Sequence, residues 1–424
     1  MQSLQKNLWQ TLAEEGVQEA VAALSDAEVF QMTEAYGTHN YKPLAVNPVR
    51  GEGVKVWDQE GNLYFDCIGA YSAVAHGHLS PFVVDTLRRQ LDLVTVTSRA
   101  FYSSEVALFL KALCEYAELD MACPMNTGAE ANETAIKLAR KWAYTVKGVP
   151  EDQAEIIVCQ DNFHGRTTTI VGFSTEEQYK KHFGPFTPGF KVIPFNDLTA
   201  LEEAITPNTA AFLVEPIQAE GGILIPDDGW MAKVRELCTK NNVLLIWDEV
   251  QTGFCRTGRK FAWMYEDAKP DILAVGKPLG GGILPVSAAI GKKEVMEVFV
   301  PGDHGSTFGG NPLGSVVALA AMTEMEVKDF CGKSEVMGAR LTNGLRSLPF
   351  SCIKEVRSRG LLIGLEVEEG TDTKALSKAL TAQRVLTKET RNRTFRYTPP
   401  IVISEAEIDE ILNRTEAAFR SALG

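Results

Sequence analysis

The sequence predicts an α/β fold, with a large, mostly parallel sheet covered by helices on both faces and a smaller α+β domain. Three observations lead there. Four short runs, "EIIVCQ" (155–160), "AAFLVEP" (210–216), "VLLIWDEV" (243–250) and "DILAVGK" (271–277), are near-continuously apolar. Strands buried on both faces must read this way. Helical patterns such as "GWMAKVRELCTKNN" (229–242) separate them, the alternation expected of a parallel sheet. From about residue 325 the texture changes to a long helix, then "CIKEVRSRGLLIGLEVEE" (352–369), then helix, strand and a final helix.

The N-terminus carries acids early and lacks an apolar signal core or an Arg- and Ser-rich transit pattern. It reads as the start of a mature cytoplasmic chain, with a helix packed on a partner. "GEGVKVWDQEGNLYFDC" (51–67) reads as two strands around a turn at Asp58 to Asn62. Residues 1–70 therefore supply a segment and hairpin that join the small domain, 71–324 form the large domain, and 325–424 complete the small one.

Composition narrows the function. The chain has 424 residues, enough for two or three units at roughly 150 residues each. A formal charge of −13 argues against a nucleic-acid partner, which needs a basic surface. No run approaches the ~18 apolar residues of a membrane helix. The eight cysteines form no C-x-x-C pair, so buried free thiols in a reducing compartment are expected. Histidine spacing supports no metal site.

Polar residues cluster at the carboxyl ends of the expected strands, where open sheets bind ligands. Asp248, Lys277 and Glu215 each end one, and "DNFHGR" (161–166) follows another. A desolvated lysine such as Lys277 is an amine nucleophile able to form a Schiff base. An inward acid, Asp248, matches the carboxylate that pyridoxal phosphate requires at its pyridine nitrogen. Glu249, one residue on, should point to the opposite face. Thr127, Gly128 and Ala129 precede a strongly helical run, whose free N–H groups and dipole suit a phosphate. "HGSTFGGNP" (304–312) adds Ser306 and Thr307 as donors. Arg166 and Arg396 are candidates for substrate carboxylates, Phe163 for stacking on a flat ring. Taken singly, each has an ordinary structural reading: a snorkelling lysine, a capped helix, surface arginines, or, for Phe163, Tyr41 and Tyr71, simple packing.

Together, "LLIWDEVQTGFCRTG" (244–258) and "PDILAVGKPLGGG" (270–282) resemble the signature of class III pyridoxal-phosphate aminotransferases. Their fold is the one shared with aspartate aminotransferase, fold type I. "YGTHNYKPLAV", "YSAVAHGH", "TVTSRAFY", "FGPFTPGF" and "FRYTPPIVI" extend the likeness over all but the first 30 or so residues. Within the class it is strongest to the ornithine aminotransferases. The resemblance implies transfer of the δ-amino group of L-ornithine to 2-oxoglutarate on pyridoxal 5'-phosphate. It also implies roles. Lys277 would hold the cofactor and shuttle a proton, Asp248 would meet the ring nitrogen, and Gln251 would lie near the phenolic oxygen. Phe163 would stack on the ring. Gly128 and Ala129 would bind the phosphate, with Ser306 and Thr307 reaching it from the partner of a homodimer. Tyr41, Tyr71 and Arg166 would hold the amino-acid end of ornithine. Glu220 would pair with Arg396, releasing it for the α-carboxylate of glutamate or 2-oxoglutarate. His164, "QAEGG" (218–222) and "GKPLGGG" (276–282) depart from the usual ornithine pattern, and His164 is typical of other class III members. A donor such as N-acetylornithine, lysine or 4-aminobutyrate is the alternative.

Overall fold

The computed structural model describes residues 8–391 and 393–423; expectations for residues 1–7 lie outside it. The chain divides into two units, residues 1–51 with 55–64, and residues 52–54 with 65–424.

The described part of the first unit begins with three helices, Leu8–Glu14, Val17–Ala22 and Asp26–Tyr36. The third starts in a capping box: Ser25 Oγ accepts from the Glu28 N–H, and the Ser25 N–H donates to the Glu28 carboxylate at 3.0 Å. The turn expected at Asp58 to Asn62 is present. The Asp58 carboxylate accepts from the Asn62 N–H at 2.8 Å and from the Tyr64 hydroxyl at 3.1 Å.

The second unit contains a seven-stranded sheet. In chain order its strands are β1 (Met121–Met125), β2 (Glu155–Cys159), β3 (Phe190–Ile193), β4 (Thr209–Val214), β5 (Leu244–Asp248), β6 (Ile272–Val275) and β7 (Ser287–Gly291). Their spatial order is β1-β7-β6-β5-β4-β2-β3, parallel except for β7. The four runs read from the sequence are the four contiguous central strands. The three unread ones have physical reasons to hide. Edge strands β1 and β3 are half exposed, which breaks the apolar run. Strand β7, "SAAIG", is fully buried but built mostly from small residues. The helix Gly128–Trp142 lays Ala131, Ala135, Leu138 and Trp142 into the core.

A second sheet, all antiparallel, runs β8-β9-β11-β10, from β8 (Ile353–Arg359), β9 (Leu362–Val367), β10 (Lys388–Thr390) and β11 (Thr394–Tyr397). Phe65 and Asp66 pair in parallel with Val385 and Leu386. The long helix expected after about 325 is Phe330–Arg346, and the helix Pro312–Val327 precedes it. The two are separated at Asp329, whose left-handed backbone (φ 49°) turns the chain and whose carboxylate caps the Gly332 N–H at 3.0 Å.

One expectation about the cysteines is overturned. Cys255 and Cys331 form a disulfide, their Cα atoms 4.5 Å apart across a sequence separation of 76; six thiols stay free. No spacing rule reveals such a pair, because folding alone brings the loop after β5 to the start of the Phe330–Arg346 helix. The adjacent Arg256 is fully buried there, donating to the Pro399 carbonyl at 2.6 Å and the Leu361 carbonyl at 3.2 Å. Among the described residues no helix is long and apolar enough to cross a membrane.

Candidate active site

Strand β5 ends by delivering Asp248, buried, to a cavity of about 160 Å³ at the carboxyl edge of the sheet. A buried carboxylate needs partners, and three converge. His164 Nδ1 and Asn132 Nδ2 each lie 2.7 Å from Oδ2, and the Val250 N–H donates to Oδ1 at 3.0 Å. Asn132 also donates to the His164 carbonyl at 3.0 Å, joining the three side chains into one network. His164 Nε2 and Asn132 Oδ1 are buried with no partner.

The neighbouring Glu249 points the other way, as alternation requires, and accepts from the Ala262 and Trp263 N–H groups at 2.7 and 2.9 Å. Burial pushes its carboxyl up to about 7 against those bonds.

Lys277 follows β6 by two residues with a left-handed backbone, φ 44°, a conformation that costs a non-glycine residue and concentrates at functional sites. Loss of water around its amine pulls it down to about 8, with Arg396 adding to the effect and Glu220, Asp248 and Glu215 opposing it. Glu215 lines the same cavity and accepts from the Phe163 N–H at 3.0 Å. Burial holds its carboxyl well above the usual range, and the Asp248 charge pushes the same way.

The opposite wall is the start of the Gly128–Trp142 helix. Thr127 caps it: Thr127 Oγ1 accepts from the Glu130 N–H at 3.2 Å, while Glu130 takes the Thr127 N–H at 2.7 Å. First-turn N–H groups have no acceptor inside a helix, so those of Gly128 and Ala129 are available to an anion. A Cβ on Gly128 would lie 2.7 Å from Val250 Cγ1, so only glycine lets the helix approach this closely.

Gly128, Ala129, Phe163, Asp248, Gln251 and Lys277 thus meet in one cavity. Two more are linked to it. Gln251 donates to Glu220 at 3.4 Å, and Glu220 is ion-paired with Arg396. Burial would raise the Glu220 carboxyl, but the Arg396 and Lys277 charges outweigh it and the net shift is downward. Tyr71 lies beneath Arg396, ring centroid 5.0 Å from the guanidinium carbon, in the left-handed stretch Ala70–Ser72. Arg166 is exposed beside Phe163, 5.5 Å from that ring.

Eight sequence candidates are not on the cavity wall: Thr127, Tyr71, Arg166, Glu220 and Arg396, placed above, and Ser306, Thr307 and Tyr41. Ser306 accepts from Asn126 of its own chain at 3.0 Å, Thr307 is exposed, and Tyr41 is exposed in the first unit. Four polar wall residues had been given no role: Asn132, His164, Thr252 and Glu215, the last noted only as the end of an expected strand. Asn132 was within reach, since it lies one turn after Gly128 on the same helix face. Among the described residues no group of three or more His, Cys, Asp or Glu is placed to hold a metal.

The family model for aminotransferase class-III matches residues 36–419. The chain belongs to that family. A relative named ornithine aminotransferase, from Brevibacillus brevis, is 50% identical over 91% of this chain and 96% of its own. The crystal structure of the ornithine aminotransferase from Toxoplasma gondii superposes with a TM-score of 0.93 at 41% identity, covering 96% of this chain and 98% of that one. The acetylornithine aminotransferase of Elizabethkingia anophelis gives 0.86, also at 41% identity, over 94% and 100%. This class III aminotransferase therefore has fold type I, and its cavity lies at the carboxyl edge of the large sheet.

Proposed function

We propose that the chain transfers the δ-amino group of L-ornithine to 2-oxoglutarate with pyridoxal 5'-phosphate, giving glutamate 5-semialdehyde and L-glutamate. The residues fit that cofactor. An amine and a buried carboxylate share one cavity, the start of the Gly128–Trp142 helix with its first-turn N–H groups lines it, and His164 Nε2 is left unpartnered nearby. When bound, the group supplies an electron sink for the pair released as a C–H bond breaks.

This chain's residues then have defined tasks. Lys277, as a free amine, moves a proton to and from the substrate carbon. Asp248, oriented by His164, Asn132 and the Val250 N–H, would meet the pyridine nitrogen and keep it protonated. Gly128 and Ala129 would hold the phosphate with backbone N–H groups, Phe163 would cover the ring, and Gln251 would lie near the phenolic oxygen. Ser306 and Thr307 would act on the phosphate of a partner subunit. A homodimer is supported by the exposed apolar stretch Leu91, Leu93, Val94, Val96, Phe101 and Tyr102. For location we propose the cytoplasm, supported by the six free thiols, with the Cys255–Cys331 disulfide the one feature against it.

The observation that carries ornithine is the Glu220–Arg396 pair. Ornithine brings no carboxylate beside its reacting amine, whereas glutamate does. Masking a buried arginine with a glutamate avoids an unpaired charge in the first case and frees the arginine in the second. Tyr71 and Tyr41 would address the α-amino end. N-acetylornithine is the second reading, favoured by the likeness to the acetylornithine enzyme and by His164. An amino-donor panel with 2-oxoglutarate, trapping the pyrroline formed when the semialdehyde cyclises, decides. Ornithine should give the highest kcat/KM; a higher value for N-acetylornithine would transfer the assignment.

A further inference from the structure

Arg166 presents an arrangement its sequence context does not suggest. Its guanidinium carbon lies 3.5 Å from the ring centroid of Tyr179, closer than to Phe163. Among the described residues it makes no ion pair. The two rings meet edge to face, centroids 6.4 Å apart. Tyr179 belongs to a single helical turn, Glu177–Lys180, too short to hold itself. It is braced from the second sheet. Arg391, just after β10, bonds Asp161 at 2.7 Å and Glu176 at 2.8 Å, one on each side of the Phe163–Arg166 segment. The preceding residue, Thr390, donates to the Glu220 carbonyl at 2.5 Å.

From these contacts we infer that Tyr179, held by Arg391, is a positioning residue for donor selection. Its face supports the Arg166 guanidinium, unpaired and pointed for a carboxylate at the far end of the donor. A flat cation resting on an aromatic face keeps its in-plane N–H donors free for a bidentate acid. The inference rests on the proposed role of Arg166 and extends it to a residue outside the cavity.

The experiment compares ornithine with 1,4-diaminobutane, which has the same distal amine and no carboxylate, in the holoenzyme with 2-oxoglutarate. Tyr179→Leu should raise the KM of ornithine about fivefold to tenfold, leaving its kcat and both constants for diaminobutane unchanged. Tyr179→Phe should restore the ornithine KM, because the face and not the hydroxyl is used. Arg391→Ala should reproduce the Leu variant more weakly. Equal losses for both donors, or an unmoved ornithine KM in Tyr179→Leu while Arg166→Ala raises it, would overturn the inference. If Arg166→Ala itself leaves the ornithine KM unmoved, the role given to Arg166 fails first and takes the inference with it.

Discussion

Two guanidiniums flank the proposed reaction site and are kept in opposite ways. Arg396 is buried, its side chain 6% exposed, and is paired with Glu220. Arg166 is exposed, without an acid, and rests on an aromatic face. The difference follows from solvation. A buried cation without a partner costs several kcal/mol, so Arg396 needs the Glu220 carboxylate beside it. At the rim water still solvates the charge, so Arg166 needs only support. On the proposed reading, one fold would offer a carboxylate site that is always open and one that opens on demand, for two substrates of different shape.

The comparison matters only if both arginines serve the Lys277 amine. Lys277→Ala should lower kcat by about 10³-fold or more and abolish any visible band that borohydride bleaches; retained turnover would dissolve the comparison. Unmasking is next. Glu220→Ala should cost ornithine roughly 100-fold in kcat/KM, while glutamate as donor is unchanged or improved. Equal losses for both would mean the pair is merely structural. Arg166→Ala should cost ornithine about tenfold and spare 2-oxoglutarate.

Two predictions probe the ground between the arginines. The Lys277 amine titrates at about 8, so only its neutral fraction captures an aldehyde. Capture of pyridoxal phosphate by the apo chain should slow about tenfold per pH unit below that value and level off above it. A flat profile from pH 6 to 9 would contradict the depressed value. The smallest effect is expected for Glu215→Gln. Burial favours the neutral form of this acid, so the amide should mimic it within about threefold in kcat/KM. A loss as large as that of Glu215→Ala would show that the charge is needed.

The central strands and the residues at their ends were readable because complete burial enforces unbroken apolar runs, and what interrupts them must have a purpose. Asp248 and Glu249 illustrate how far local geometry reaches. Alternation alone sends them to opposite faces, and they are found there, one in the cavity and one tied to Ala262 and Trp263. The edge strands escaped because partial exposure mixes their pattern, and β7 because alanine and glycine carry little signal.

Composition, periodicity and motif order were enough to give the α/β class and to point to the amine and acid of the candidate site and the helix start that suits a phosphate. Each of these is a local property, written within a strand, a turn or one helix. Folding alone supplied the partners: Asn132 and His164 on Asp248, Tyr179 and Arg391 behind Arg166, and the Cys255–Cys331 link. Those pairs join residues dozens to hundreds of positions apart, where no periodicity connects them, and only the packing of helices, loops and both sheets brings their atoms into contact.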